Sequence, residues 1–180
     1  MRNIPGQLRS ALRIVCCSGL LSIAAGASPS LAGTTRPPLG LQLYCLQHQQ
    51  ACRSSAEAVL PLSNGLLQTI KRVNRHVNSS IAPRSDGGAD VWQVGGGFGD
   101  CEDYVMTKRA RLIEQGVSRG ALRIAYTRTR SGEGHALLII KTDRGELALD
   151  NLVDEVKLLS STGYRVTAMS SSDMLNWKAQ

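Results

Sequence analysis

Apolar positions along the chain change period part-way. Between residues 64 and 78 they fall at Leu66, Leu67, Ile70, Val73 and Val77. Steps of three and four predict an amphipathic helix, with Ser63 or Asn64 as its cap. A second helix is predicted from Cys101 to Gln115, with Asp100 as N-cap and Gly116 just past its end. Cys101, Tyr104, Val105 and Leu112 share one of its faces. Beyond it the period drops to two. Leu122, Ile124 and Tyr126 alternate with Arg123, Ala125 and Thr127. His135 to Lys141 is a nearly continuous apolar run, Thr142 to Gly145 reads as a turn, and Glu146 to Asp150 as the returning strand. Tyr164 to Met169 is expected to be the last strand. Helices followed by an antiparallel meander predict an α+β fold.

Glycine and proline mark the remainder as loop. Residues 82–99 hold Pro83, Asp86-Gly87-Gly88 and Gly95-Gly96-Gly97. The first residues have a different character. Arg2, Arg9 and Arg13 precede a short apolar stretch from Ile14 to Ala25, followed by Ala25-Gly26-Ala27 and Ser30-Leu31-Ala32. This is the pattern of a secretory signal peptide, residues 1–27, cleaved after Ala27 or alternatively after Ala32. Residues 28–40 are expected to be a flexible leader, and residues 41–180 one folded domain. A periplasmic or secreted location follows.

Charge changes the picture little. Formal charge is +7, but three of the 21 basic residues lie in the signal, leaving 18 against 14 acidic. Basic side chains are scattered from Arg109 to Arg130 without interleaved aromatics. That argues for a solvated face, or a docking face for an acidic protein, and against nucleic-acid binding.

Cysteine changes it more. Cys16 and Cys17 leave with the signal, so Cys45, Cys52 and Cys101 remain. Export favours disulfides. A Cys45–Cys52 bridge would staple the loop from Leu41 to Cys52 and leave Cys101 unpaired. An odd thiol in an exported protein is an intermolecular linker or a reactive group. Cys101 stands at a predicted helix start, where its thiol pKa is lowered, and His135 can pair with it. The plainer reading of Cys101 is a small buried side chain on the helix's inner face.

His48 and His76 are weaker rivals of His135, the one in the stapled loop and the other beside Arg72 and Arg75. If residues 142–145 close a hairpin, Asp150 lies about two residues from His135 on the adjacent strand, within diagonal reach. There it would orient the imidazole, with Asn151 as its rival. Asp100, Glu102 and Asp103 favour a helix N-terminus but disfavour a neighbouring thiolate, so a hard cation such as Ca²⁺ would offset them. Trp92 is a candidate oxyanion donor, against the plainer reading of a packed indole.

Val73-Asn74, Val77-Asn78, Asp90-x-Trp92, Gly99-Asp100-Cys101-Glu102-Asp103-Tyr104, Lys108, Gly134-His135-Ala136 and Leu149-Asp150-Asn151-Leu152 together resemble the bacterial transglutaminase-like cysteine peptidases. The resemblance runs from about Tyr44 to Trp177. It implies a papain-like fold of the transglutaminase branch, with Cys101 as nucleophile, His135 as acid and base, and Asp150 as orienting residue. It also implies calcium at Asp100 and Glu102, with Asp103 a further candidate. It implies an exported protein substrate, a surface adhesin among such proteins, and an inner-membrane regulator. The chemistry itself requires no cofactor. The same triad would serve a transglutaminase or deamidase, and a non-catalytic calcium-binding interaction module is the rival of another class.

Overall fold

The computed structural model describes Met1 and residues 33–180, so the signal peptide, its cleavage sites and Cys16–Cys17 lie outside the described residues. Three helices, α1 (Leu39–Gln47), α2 (Asn64–Ser80) and α3 (Cys101–Glu114), precede most of the sheet. The strands are β1 (Thr34–Thr35), β2 (Ala82–Pro83), β3 (Phe98–Gly99), β4 (Leu122–Arg128), β5 (Gly134–Thr142), β6 (Gly145–Leu149), β7 (Lys157–Leu158), β8 (Ala168–Ser170) and β9 (Trp177–Ala179). Seven of them form one antiparallel sheet in the order β1-β9-β8-β4-β5-β6-β7. The chain is α+β.

Alternation along β5 sorts its side chains onto two faces. Ala136, Leu138 and Ile140 join the main core with Ile70, Val77, Tyr104 and Leu112 of the helices. Leu137 and Ile139 point the other way, into a smaller cluster with Ala125 and Ala148. Strands buried on both faces read as continuous apolar runs, which is why β5 shows no alternation in sequence.

Helix α2 begins where Ser63 Oγ accepts the Leu66 N–H at 3.1 Å. Helix α3 starts differently. Asp100 stands at its N-cap but makes no side-chain cap bond. Instead Asp103, three residues on, accepts the Asp100 backbone N–H, one half of a capping box. The parallel pair β2–β3, Ala82↔Phe98 and Pro83↔Gly99, closes the long loop at its base and delivers Gly99-Asp100 to that helix start. Within the loop Gly95 and Gly96 adopt φ of +81° and +96°, a region costly for other residues.

Several expectations need correction. Leu41 to Cys52 is not a free loop. Helix α1 occupies most of it, because Leu41, Tyr44 and Cys45 bury one stripe. The Cys45–Cys52 disulfide is present and ties the end of that helix to the following turn. Thr34–Thr35, placed in the flexible leader, pairs with β9. The last strand is Trp177–Ala179, anchored by a buried Trp177 whose indole donates to Met174 O at 2.7 Å.

Helix α1 packs onto the loop through Gly40. A Cβ there would stand 2.5 Å from both Asp90 O and Trp92 Cδ1. Gly40→Ala is expected to destabilise the fold by about 1–3 kcal/mol through overpacking, read as a lower urea midpoint with an unchanged slope.

Candidate active site

The hairpin β5–β6 places the first two groups. Its register pairs Leu138 with Leu149, so Asp150 lies across from Leu137, two residues from His135. The diagonal closes in a hydrogen bond of 2.8 Å between His135 Nε2 and Asp150 Oδ1. Both side chains are buried, at 4% and 7% exposure. Asp150 is held further by the Leu152 N–H at 2.9 Å and the Tyr164 hydroxyl at 2.7 Å. Burial works against its charge, but these three donors outweigh it and hold the carboxyl below the usual carboxylate range. With Nε2 engaged, Nδ1 is the ring nitrogen left for another partner.

Cys101 opens α3 and lines one cleft with His135, Gly134, Asp100, Glu102 and Tyr126. It is a free cysteine. Its Sγ receives a hydrogen bond from the backbone N–H of Ala136, the neighbour of His135. The S–H donates to Glu102 Oε2 at 2.8 Å. Glu102 Oε1 in turn accepts the Tyr126 hydroxyl at 3.2 Å. Burial first, then the Glu102 charge and hydrogen bond, push the thiol far up; Ala136 N–H only partly opposes them. The thiol is therefore protonated in this arrangement.

The acidic residues separate into two kinds. Asp103 is fully buried. Its Oδ1 accepts the Gln93 N–H at 2.9 Å and its Oδ2 the Gln93 amide at 3.3 Å. With the Asp100 N–H also on it, its oxygens are spent on the loop. It is corrected from metal ligand to loop anchor. Asp100 is different. Its Oδ1 is buried without a hydrogen-bond partner. Burial and the charges of Glu102, Asp103 and Asp86 push it up to about 7. An orphaned carboxylate oxygen beside a second carboxylate suits a hard cation. Among the described residues no three His, Cys, Asp or Glu side chains are gathered as a ready metal site. Asp100 offers an unpartnered carboxylate oxygen beside Glu102, whose oxygens accept the Cys101 S–H and the Tyr126 hydroxyl, whereas those of Asp103 are held by the loop.

Trp92 is also corrected. Its indole N–H donates to Asp90 Oδ1 at 2.8 Å and the ring is buried at 4% exposure, so it has no proton to offer an oxyanion. His48 stacks on Tyr44 and His76 is exposed on α2; neither joins the cleft.

Four contributors had no role assigned from the sequence, although Asn74, Asn78 and Lys108 stood in the motifs that carry the resemblance. Tyr164 reads there as a strand residue, and nothing marks its hydroxyl as a partner of Asp150. Asn74 and Asn78 recur at one helical turn on the inner face of α2. Asn78 donates to Asp150 O at 3.0 Å and to Asp154 Oδ1 at 2.9 Å, and Asn74 to Asp154 O at 3.0 Å. Lys108 is fully buried, and its Nζ has no hydrogen-bond partner. Burial lowers it to about 7, while the charges of Asp150 and Asp154 pull the other way. The helical period signals it, since position 108 falls on the Cys101–Tyr104–Leu112 face.

A family profile described as bacterial transglutaminase-like cysteine proteinase matches residues 31–179. The chain belongs to this family. The profile's description is that of cysteine proteinases. Three solved structures of LapG from Legionella pneumophila are similar in fold. The calcium-bound form is 23% identical with a TM-score of 0.53, covering 58% of this chain and 64% of that one. The EGTA-treated form is 24% identical, TM-score 0.52, covering 58% and 62%. A third LapG structure is 24% identical, TM-score 0.51, covering 58% and 64%. The chain thus spans just under two thirds of the LapG chains. No curated protein matches it. The fold is that of the transglutaminase-like cysteine proteases, as the residues led one to expect. Among the described residues no helix is long and apolar enough to cross a membrane.

Removing the loop anchor gives a direct check. Asp103→Ala strands the Gln93 and Asp100 N–H groups and is expected to cost about 2–3 kcal/mol of stability, measured by urea unfolding.

Proposed function

We propose that the protein is an exported cysteine peptidase that hydrolyses a backbone amide of a protein substrate through Cys101, His135 and Asp150. The observation that carries this reading is the buried 2.8 Å contact of His135 Nε2 with Asp150, which reserves Nδ1 for the thiol sharing its cleft. The Cys101 proton passes to Nδ1, and the thiolate attacks the scissile carbonyl carbon. Backbone N–H groups free at the start of α3, that of Cys101 first, receive the oxyanion. The Nδ1–H then protonates the leaving amine as its C–N bond breaks, leaving a thioester. Water gives a proton to Nδ1, its oxygen adds to the thioester, and the sulfur departs. Asp150 keeps the Nε2–H tautomer and stabilises the imidazolium.

The resting hydrogen bond from Cys101 to Glu102 opposes the first step. Asp100 and Glu102 are the residues that would hold calcium. When bound, the ion supplies positive charge that offsets the carboxylates beside the sulfur. The calcium-bound and EGTA-treated LapG structures support this. In this reading the substrate is an exported surface protein of the adhesin kind, and an inner-membrane regulator restrains its release.

The test uses the mature protein on exported proteins of its own cell, with new N-termini identified by amine labelling. New termini are expected with the wild type, and a loss of at least ~10³-fold with Cys101→Ala. Asp150→Asn is expected to lower the rate by about 10²–10⁴-fold. Chelator is expected to slow cleavage, and added calcium to restore it. Incorporation of a dansylated amine into those proteins without new termini would instead make the protein a transglutaminase and overturn hydrolysis.

A further inference from the structure

A second groove lies beside Asp150, and neither Cys101 nor His135 is on its lining. It encloses about 730 Å³ and is lined by Arg128, Arg130, Lys157, Tyr164, Arg165 and Leu152 around Asp150. Arg128 also lines the cleft of Cys101 and His135, so one side chain borders both spaces.

The groove's charge is one-sided. Of its carboxylates, Glu155 pairs with Lys157 at 3.0 Å. Asp150 is spent on His135, Tyr164 and the Leu152 N–H. Among the described residues no carboxylate pairs with Arg128, Arg130 or Arg165, and all three are exposed. Arg128 gives one N–H to Gly132 O at 2.7 Å and keeps the rest of its fork. Exposed Leu152 adds an apolar wall. The thiol end of the cleft has the opposite sign, with Asp100 and Glu102 on its lining. The whole channel is therefore basic at the histidine end and acidic at the thiol end.

We infer that this groove is a subsite for Asp and Glu side chains of the substrate polypeptide, on the leaving-amine side of the scissile bond. The inference rests on the peptidase reading above. Arginine forks match carboxylates bidentately. A bipolar channel also fixes direction, since the acidic segment is repelled from the carboxylates at the thiol. His135 must reach the leaving nitrogen, so the chain after the cut runs over the histidine toward the arginines. A polypeptide is favoured over a lipid surface because Arg128 lines both the groove and the reactive cleft.

The test has two arms. In the first, a fluorescein-labelled (Asp-Ala)₄ peptide is titrated by anisotropy into the mature Cys101→Ala protein, beside (Lys-Ala)₄. The acidic peptide is expected to bind at least tenfold tighter. The pair Arg128→Glu/Arg165→Glu is expected to lose that preference, and Arg128→Lys/Arg165→Lys to keep it, which decides the matter if the reversed pair misfolds. Equal binding of the two peptides would overturn the subsite. So would co-sedimentation with phosphatidylglycerol vesicles, lost in the reversed pair, without peptide binding. In the second arm, wild-type protein cuts a proteome-derived peptide library. Asp and Glu are expected to be enriched within the six residues after the cut. Cleavage without that enrichment overturns the subsite and leaves the peptidase standing. Absence of any cleavage sinks the peptidase reading, and the binding arm still decides the groove.

Discussion

A buried histidine tied to a buried carboxylate is the constraint on which the site depends. Neither His135 nor Asp150 could be buried alone without a large desolvation cost. Together they are affordable only because four other groups complete them. Tyr164 and the Leu152 N–H saturate the carboxylate. Asn78 holds the Asp150 carbonyl, and the buried Lys108 amine, lowered by burial, feels the charges of Asp150 and Asp154. The hairpin register sets the diagonal, and α2 and α3 press on it from the helical side.

The thiol side is governed by a conflict. A helix N-terminus and the Ala136 N–H favour a thiolate at Cys101, while burial and Glu102 disfavour it, and the latter dominate. The same carboxylates that give α3 a favourable first turn hold the Cys101 thiol protonated. On the proposed mechanism, an added positive charge or a displaced Glu102 precedes attack by the thiol. This makes local electrostatics, rather than triad geometry, the step open to control.

Much of this was legible in the sequence, for identifiable reasons. The 3.6-residue period marked α2 and α3, and the turn at 142–145 fixed the hairpin, hence the two-residue offset between His135 and Asp150. The odd cysteine count singled out Cys101. What failed was of another kind. Helix α1 was read as loop because its buried stripe is only a few residues long. Two-residue strands such as β1 and β7 carry no period at all. The sequence placed Asp103 and Trp92 near the site, but not which atoms their polar groups would meet. Gln93 and Asp90 took those atoms, and only three-dimensional neighbours could reveal it. Tyr164 was hidden for the same reason, whereas Lys108 and the Asn74/Asn78 pair stood on buried helical faces and could have been found by period.

On the proposed mechanism, Cys101 is restrained by Glu102 and activated by His135. The most direct test is the rate of Cys101 alkylation by iodoacetamide at pH 7 in mature protein with chelator present. Glu102→Gln is predicted to label faster than wild type and His135→Ala more slowly, with calcium accelerating the wild type alone. Equal rates in all three proteins, with and without calcium, would contradict the account.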